Sequence, residues 1–168
     1  MKQVIIHTDG ACLGNPGPGG WAAILQLKGT RIRRELSGGF RLTTNNRMEI
    51  MAALEALAAL KEPCAVELHT DSRYLCDSVG KGWLYNWEAN RFIRKNRKAV
   101  PNADLWKRLL VLLRIHSARF FWLQGHAGHP DNELCDQLAS QYAQRTDLPP
   151  DQAYENLKAA ASDHLPLA

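Results

Sequence analysis

The chain predicts a mixed α/β fold, a five-stranded sheet with helices packed on it, and three observations predict it. Short runs rich in β-branched and aromatic residues, bounded by turn formers, recur along the chain as strand candidates. Between them, apolar residues repeat at helical spacing. The elements then read β β β α β α α β α, and a strand that rejoins a sheet through a helix lies parallel to one already there.

Val4–Thr8 is the first strand, an apolar run ending in Asp9 and followed by the glycine-rich loop Leu13–Gly20. Trp21–Leu27 and Arg31–Arg41 flank Lys28-Gly29-Thr30 and form a hairpin, which completes an antiparallel meander. Arg47–Lys61 is a helix, because Ile50, Met51, Leu54, Leu57 and Ala58 share one face; Pro63 ends it. Val66–Thr70 is the fourth strand. Ser72–Val79 is a short helix broken by Gly80 and Gly82, and Trp83–Trp87 is a further helical segment. An irregular basic stretch from Arg91 to Lys98 precedes the amphipathic helix Asp104–His116, whose core face is Leu105, Leu109, Leu112 and Leu113. Arg119–Leu123 is the fifth strand. Pro130 opens a last helix that runs to about Arg145.

The 168 residues read as one catalytic domain over 1–146, with a basic protrusion at 83–101 and an acidic, partly disordered tail over 147–168. No apolar run approaches the ~18 residues of a membrane span. The start of the chain leads straight into a strand, so the expectation is a monomeric cytoplasmic protein with no membrane partner. Cys12, Cys64, Cys76 and Cys135 show no zinc-like spacing and read as reduced thiols. The net charge of +4 is uneven: the tail carries −3 and residues 1–146 carry +7. A basic body of this kind favours a polyanionic partner.

Two strands end alike, in His7-Thr8-Asp9 and His69-Thr70-Asp71. Side by side and parallel, they bring Asp9 and Asp71 to one sheet edge, about one strand spacing (~4.8 Å) apart. Two carboxylates that close stay ionised only beside a cation, so the pair points to a metal site, although each Asp alone also suits a turn or helix cap. Glu49 and Asp136 sit near the starts of two helices, where acids are favoured anyway; for Glu49 the local reading is a capping box with Asn46 as N-cap. His126 lies in a loop between Gly125 and Gly128, and with His129 it offers only two ligands of a zinc set.

Four motifs in order, Thr8-Asp9-Gly10, Thr43 to Glu49, Thr70-Asp71-Ser72 and Gly125 to Pro130 with Asn132 to Asp136, resemble those of bacterial type 1 ribonuclease H over about Lys2 to Arg145. The resemblance implies a ribonuclease H-like fold with strand order 3-2-1-4-5, which sets the strands of Asp9 and Asp71 side by side. It implies an endonuclease that hydrolyses the RNA strand of RNA–DNA hybrids and leaves 5′-phosphate and 3′-hydroxyl ends. Asp9, Glu49, Asp71 and Asp136 match the catalytic, metal-binding carboxylates, and His126 matches a mobile histidine assisting proton transfer or product release. The cofactor implied is Mg²⁺, two ions per site, with Mn²⁺ as substitute. Two such ions activate water and stabilise the leaving oxygen of a phosphodiester, and hard cations want carboxylate oxygens.

The resemblance also marks substrate contacts. Gly10, Cys12, Asn15, Asn45 and Arg73 match groups facing 2′-hydroxyls, and Thr44 and Asn102 match a DNA-phosphate pocket. Trp83 and Trp87, with Arg91, Arg94, Lys95, Arg97 and Lys98, match the basic protrusion on the DNA strand. Three positions depart from the pattern: Arg73 stands where Gln is frequent, Leu42 where Arg is frequent, and the protrusion's charge is displaced along the chain. Trp21, Trp106 and Trp122 read as core residues. Two other readings remain at this point, a hybrid-binding module that does not cut and a related-fold nuclease acting on DNA junctions or ends. The complete acidic quartet disfavours the first and the protrusion disfavours the second.

Overall fold

The computed structural model describes residues 1–163. Strands β1 (Lys2–Cys12), β2 (Gly17–Leu27) and β3 (Arg33–Thr43) form an antiparallel meander; β1 is longer than its apolar run at both ends, β2 begins earlier because the ladder continues through the glycine-rich segment, and β3 runs on to Thr43 but begins at Arg33 rather than Arg31 because the turn extends through Ile32. Helix α1 (Asn45–Ala58) leads to β4 (Cys64–Thr70), which pairs parallel to β1 with His7 opposite His69 and Thr8 opposite Thr70. Helices α2 (Arg73–Gly80), α3 (Trp83–Ala89) and α4 (Ala103–Ile115) then return the chain to β5 (Ser117–Trp122), parallel to β4. The strand order is 3-2-1-4-5, as expected. Helices α5 (Pro130–Ala143) and α6 (Gln152–Asp163) complete the chain.

Strand alternation builds two cores. Val4, Ile6, Ala23, Leu25, Val66 and Leu68 face α1 and α4, where Met48, Leu54, Leu57, Trp106 and Leu109 are buried. Ala22 and Ile24 face the other way, onto Cys135 and Ala139 of α5. Helix α1 starts earlier than its apolar period predicts: Thr44, not Asn46, is the N-cap, its hydroxyl accepting from the Arg47 N–H at 3.2 Å. Glu49 is therefore not the partner in a capping box and is free for another role.

The segment after Arg145 packs onto the fold through Pro149, Asp151 and Glu155 and continues as helix α6 to residue 163; residues 164–168 of the expected disordered tail lie outside the described residues. Asp151 is buried and accepts from Arg47 Nε at 2.7 Å, Arg47 Nη2 at 3.0 Å and the Thr43 hydroxyl at 2.7 Å. Arg47, 1% exposed, also forks onto Asp104 at 2.9 and 2.8 Å. Two carboxylates around one guanidinium satisfy a buried charge that would otherwise be costly. Arg41 adds a backbone hydrogen bond to the Pro149 carbonyl and a bidentate pair with Glu155.

Of the three tryptophans read as core, Trp106 is fully buried and Trp21 packs against the core. Trp122 is 41% exposed and belongs to the surface. No helix among the described residues is long and apolar enough to cross a membrane.

Candidate active site

The parallel pairing of β1 and β4 sets the site. Their ladder ends at Thr8 and Thr70, so Asp9 and Asp71 leave the sheet edge as neighbours. Glu49 arrives from the second turn of α1, which runs hard against β1 at Gly10. A Cβ on Gly10 would stand 2.6 Å from the Glu49 backbone nitrogen and 2.7 Å from the Met48 carbonyl carbon, so only glycine lets the helix come this close. One carboxylate oxygen from each of Asp9, Glu49 and Asp71 lies within 4.8 Å of the others. Asp136, from the second turn of α5, lines the same cleft but stands outside that group of three.

The acids crowd each other electrostatically. Burial, then the Asp71 charge, pushes the Asp9 carboxyl up to about 7. Burial, then Asp9 and Asp71, holds Glu49 well above the usual carboxylate range. Asp71 is raised too, chiefly by burial. Among the described residues Glu49 Oε2 is buried with no hydrogen-bond partner, whereas the Gly10 N–H donates to Asp9 Oδ1 at 2.8 Å. A buried, unpaired carboxylate oxygen is rare and costly. A divalent cation bound among these three groups would supply the missing partner and favour their ionised form, so the donor set, all carboxylate oxygen, fits a hard metal.

The cleft has a volume of about 420 Å³, is open to solvent, and is also lined by Gly10, Asn45, Asn46, Ser72, Arg73, Tyr74 and His126. That is space for roughly a dozen waters at ~30 Å³ each, enough for hydrated ions and a sugar–phosphate unit. His126 adopts a left-handed backbone (φ 58°) in its glycine-flanked loop. A Cβ on Gly125 would stand 2.6 Å from Asp71 Oδ2, so this glycine presses the loop against the acids. His129 instead takes the N-cap position of α5, and its side chain makes no capping bond.

The other expected contacts separate into groups. Asn15 Oδ1 accepts from the Asn45 N–H at 3.1 Å, tying the glycine-rich loop to the start of α1. Cys12 Sγ lies against the carbonyls of Gly14, Gly17 and Thr43, beside rather than in the cleft. Asn102 also stands outside it, left-handed (φ 63°) before α4, its amide donating to the Tyr74 hydroxyl at 3.3 Å. Because Tyr74 lines the cleft, that bond links Asn102 to it. Thr44 spends its hydroxyl on the helix cap.

The protrusion is more ordered than its composition suggests. Phe92 and Val100 are buried anchors, Ile93 bridges Ala99, and the Arg94 N–H donates to the Lys98 carbonyl at 2.8 Å. Arg91, Arg94, Lys95, Arg97 and Lys98 all point to solvent, and none forms an ion pair among the described residues. Trp83 is 39% exposed, but Trp87 packs on Trp106 with ring centroids 5.7 Å apart, so it serves the core as much as the surface. The reading from sequence misses Tyr74 and Trp122, the latter donating from its indole to the Asp71 carbonyl at 3.0 Å. An aromatic at the end of the strand next to Asp71 is the only signal that marks Trp122.

A family model described as RNase H matches residues 1–144. A ribonuclease H of Nitratidesulfovibrio vulgaris strain Miyazaki F is 58% identical over 154 residues, 92% of this chain and 97% of that protein. A ribonuclease H of Rippkaea orientalis is 54% identical over 155 residues, 92% of this chain and 94% of that protein. Among solved structures, LC9-RNase H1, described as a type 1 RNase H with the type 2 active-site motif, superposes with a TM-score of 0.76 at 29% identity, over 99% of this chain and 87% of that one. LC11-RNase H1, solved with an RNA/DNA hybrid, shares the fold with a TM-score of 0.63 at 21% identity, over 90% of this chain and 99% of that one.

Proposed function

From the premise that this chain belongs to the ribonuclease H family, and so hydrolyses the RNA strand of RNA–DNA hybrids endonucleolytically, we propose how its residues do so. Asp9, Glu49, Asp71 and Asp136 are the catalytic carboxylates and would hold two divalent cations, Mg²⁺ by preference and Mn²⁺ as substitute. The observation that carries this is the convergence of three half-repelling acids, one of them with an orphaned buried oxygen, at the end of the β1–β4 ladder. When bound, the cations supply an activated water and stabilise the leaving 3′-oxygen.

The chain's own groups do the rest. Asp9, accepting from the Gly10 N–H and within reach of both Glu49 and Asp71, would be one of the acids that hold the cations. Glu49, which lines the cleft with Asn45 and Gly10, would also meet the 2′-hydroxyl of the scissile nucleotide, as the resemblance implies. His126, on a loop with glycines at both sides, takes or delivers the proton that moves as the RNA strand breaks, leaving 5′-phosphate and 3′-hydroxyl ends.

Selectivity for a hybrid needs one grip on 2′-hydroxyls and one on a strand lacking them. Gly10, Cys12, Asn15, Asn45 and Arg73 form the first side. Thr44, Asn102, Trp83, Trp87 and the cations Arg91, Arg94, Lys95, Arg97 and Lys98 form the second, the five unpaired cations supplying the salt-sensitive attraction for phosphate. Residues 1–146 carry the catalytic groups, the segment after them packs onto the same fold through Asp151, and the working unit is one chain, since one chain carries all four acids and the protrusion. The four free thiols suit a reducing cytoplasm.

The test is a labelled RNA strand annealed to DNA, incubated with and without Mg²⁺, beside duplex RNA and duplex DNA. Cleavage of the hybrid's RNA alone, and only with the metal, is expected. Cleavage of duplex RNA at the same rate, or cleavage in chelator, overturns the proposal.

A further inference from the structure

Trp122 ends β5 with 41% of its surface exposed, an unusual cost for a tryptophan with no partner to reward it. Two contacts surround it. The β4–β5 ladder ends at the pair Thr70–Trp122, with the Leu123 N–H donating to the Thr70 carbonyl at 2.9 Å. One residue beyond, the Asp71 carbonyl accepts from the Trp122 indole Nε1 at 3.0 Å, so a side chain extends the ladder to an acid of the cleft. The second contact is Arg73, whose guanidinium carbon lies 3.8 Å from the centre of the indole ring. Arg73 lines the cleft that holds Asp71.

We propose that Trp122 is a positioning residue with two functions, fixing the backbone that carries Asp71 and holding Arg73 flat at the lip of the cleft so that it reads the minor groove of the RNA strand. Stacking occupies the face of a guanidinium and leaves its five N–H donors free in the plane. The minor groove of a hybrid presents acceptors that such a fork fits, namely base-edge oxygen and nitrogen and, on the RNA strand only, the 2′-hydroxyl. A guanidinium on a free stem would lose rotamer freedom at each encounter, whereas one already stacked loses less. The indole N–H acts on a different quantity. It restrains the main chain at Asp71, and so the angle from which that carboxylate meets its neighbours.

This inference rests on the hybrid-cutting reading above, and its two halves separate in one set of variants. Trp122→Phe keeps the ring face and loses the donor. It should lower kcat about fivefold, the effect of roughly one hydrogen bond, with KM within about twofold of wild type. Trp122→Ala loses both, so kcat falls likewise and KM rises about three- to fivefold. Arg73→Ala raises KM to the same degree, and adding Trp122→Ala to it raises KM no further. Hybrid affinity, read by fluorescence anisotropy in the Asp9→Asn background, should follow KM, and a single 2′-deoxy substitution beside the scissile bond should weaken Arg73→Ala less than it weakens wild type. Thermal melting confirms folding; if Trp122→Ala does not fold, Trp122→Phe and Arg73→Ala still decide the matter. The inference is overturned if Trp122→Phe matches wild type in kcat, or if the KM effects of Trp122→Ala and Arg73→Ala simply multiply. A wild type that fails to cut hybrid in Mg²⁺ defeats the functional reading itself, a different result from active wild type with indifferent variants.

Discussion

Asp151→Asn is the most informative single change for the architecture. Asp151 accepts three hydrogen bonds from Arg47 and Thr43, and its side chain is 5% exposed against 1% for Arg47. Asparagine keeps the shape but removes the charge and turns an N–H₂ group toward donors. Breaking one side of a buried ion pair costs ~3–5 kcal/mol, and since Asp104 still faces Arg47, the lower end, about 3 kcal/mol, is the expected loss. In a domain of this size 1 kcal/mol moves the melting temperature by ~2–4 °C, so the variant should melt roughly 6–12 °C lower. Urea unfolding followed by circular dichroism measures the free energy directly. Asp104→Asn should cost less, because that side chain is 32% exposed. A loss under about 1 kcal/mol for Asp151→Asn would refute the claim that the C-terminal segment is built into the fold.

Five further outcomes are expected. Asp9→Asn abolishes cleavage in Mg²⁺ while hybrid binding survives, which a cleavage assay and a filter-binding assay separate. In chelator the same variant is more stable than wild type at pH 8 by about 2–4 kcal/mol, because ionising a carboxyl held up at about 7 is no longer required. Metal-free wild type should lose stability as pH rises from about 4 to about 8: the raised folded-state values of Asp9, Glu49 and Asp71 mean that the unfolded chain releases these protons first, and melting curves in chelator measure the fall. Asp104 behaves oppositely: burial works against it, but Arg47 holds it below the usual carboxylate range, so its contribution is lost as pH falls below about 4. Neutralising Arg94, Lys95, Arg97 and Lys98 together raises KM and flattens its salt dependence by up to ~0.9 log unit per log unit of salt for each lost phosphate contact, which steady-state kinetics at several ionic strengths reads.

The legible parts of this molecule are those where local pattern and global fold agree. The repeated His-Thr-Asp endings mark both acids because a strand's terminal residue is a local feature, whereas the side-by-side placement of β1 and β4 is a non-local pairing that the sequence reaches only through the resemblance. Glu49 is ambiguous in sequence, since an acid near a helix start also caps; the structure resolves it by moving the cap to Thr44 and leaving Glu49 Oε2 without a protein partner. Arg47–Asp151 is not legible, because 104 residues separate the partners and a buried Arg carries no sequence mark distinguishing it from a surface one. Trp122 is misread for a related reason: size and strand position predict burial, and only the end of the ladder and the stacked Arg73 explain its exposure. In the protrusion, charge density is plain in the sequence, whereas the buried anchors Phe92 and Val100 that hold it, and the burial of Trp87 on Trp106, depend on contacts with α3 and α4 that no local pattern encodes.

The most direct measurement is anomalous scattering from Mn²⁺ in crystals of the protein grown with an RNA–DNA hybrid. Two metal peaks inside the cleft, within coordination distance of Asp9, Glu49, Asp71 and Asp136 and beside the scissile phosphate, are predicted. An empty cleft in crystals that hold the hybrid, or metal bound away from these four acids, would contradict the account.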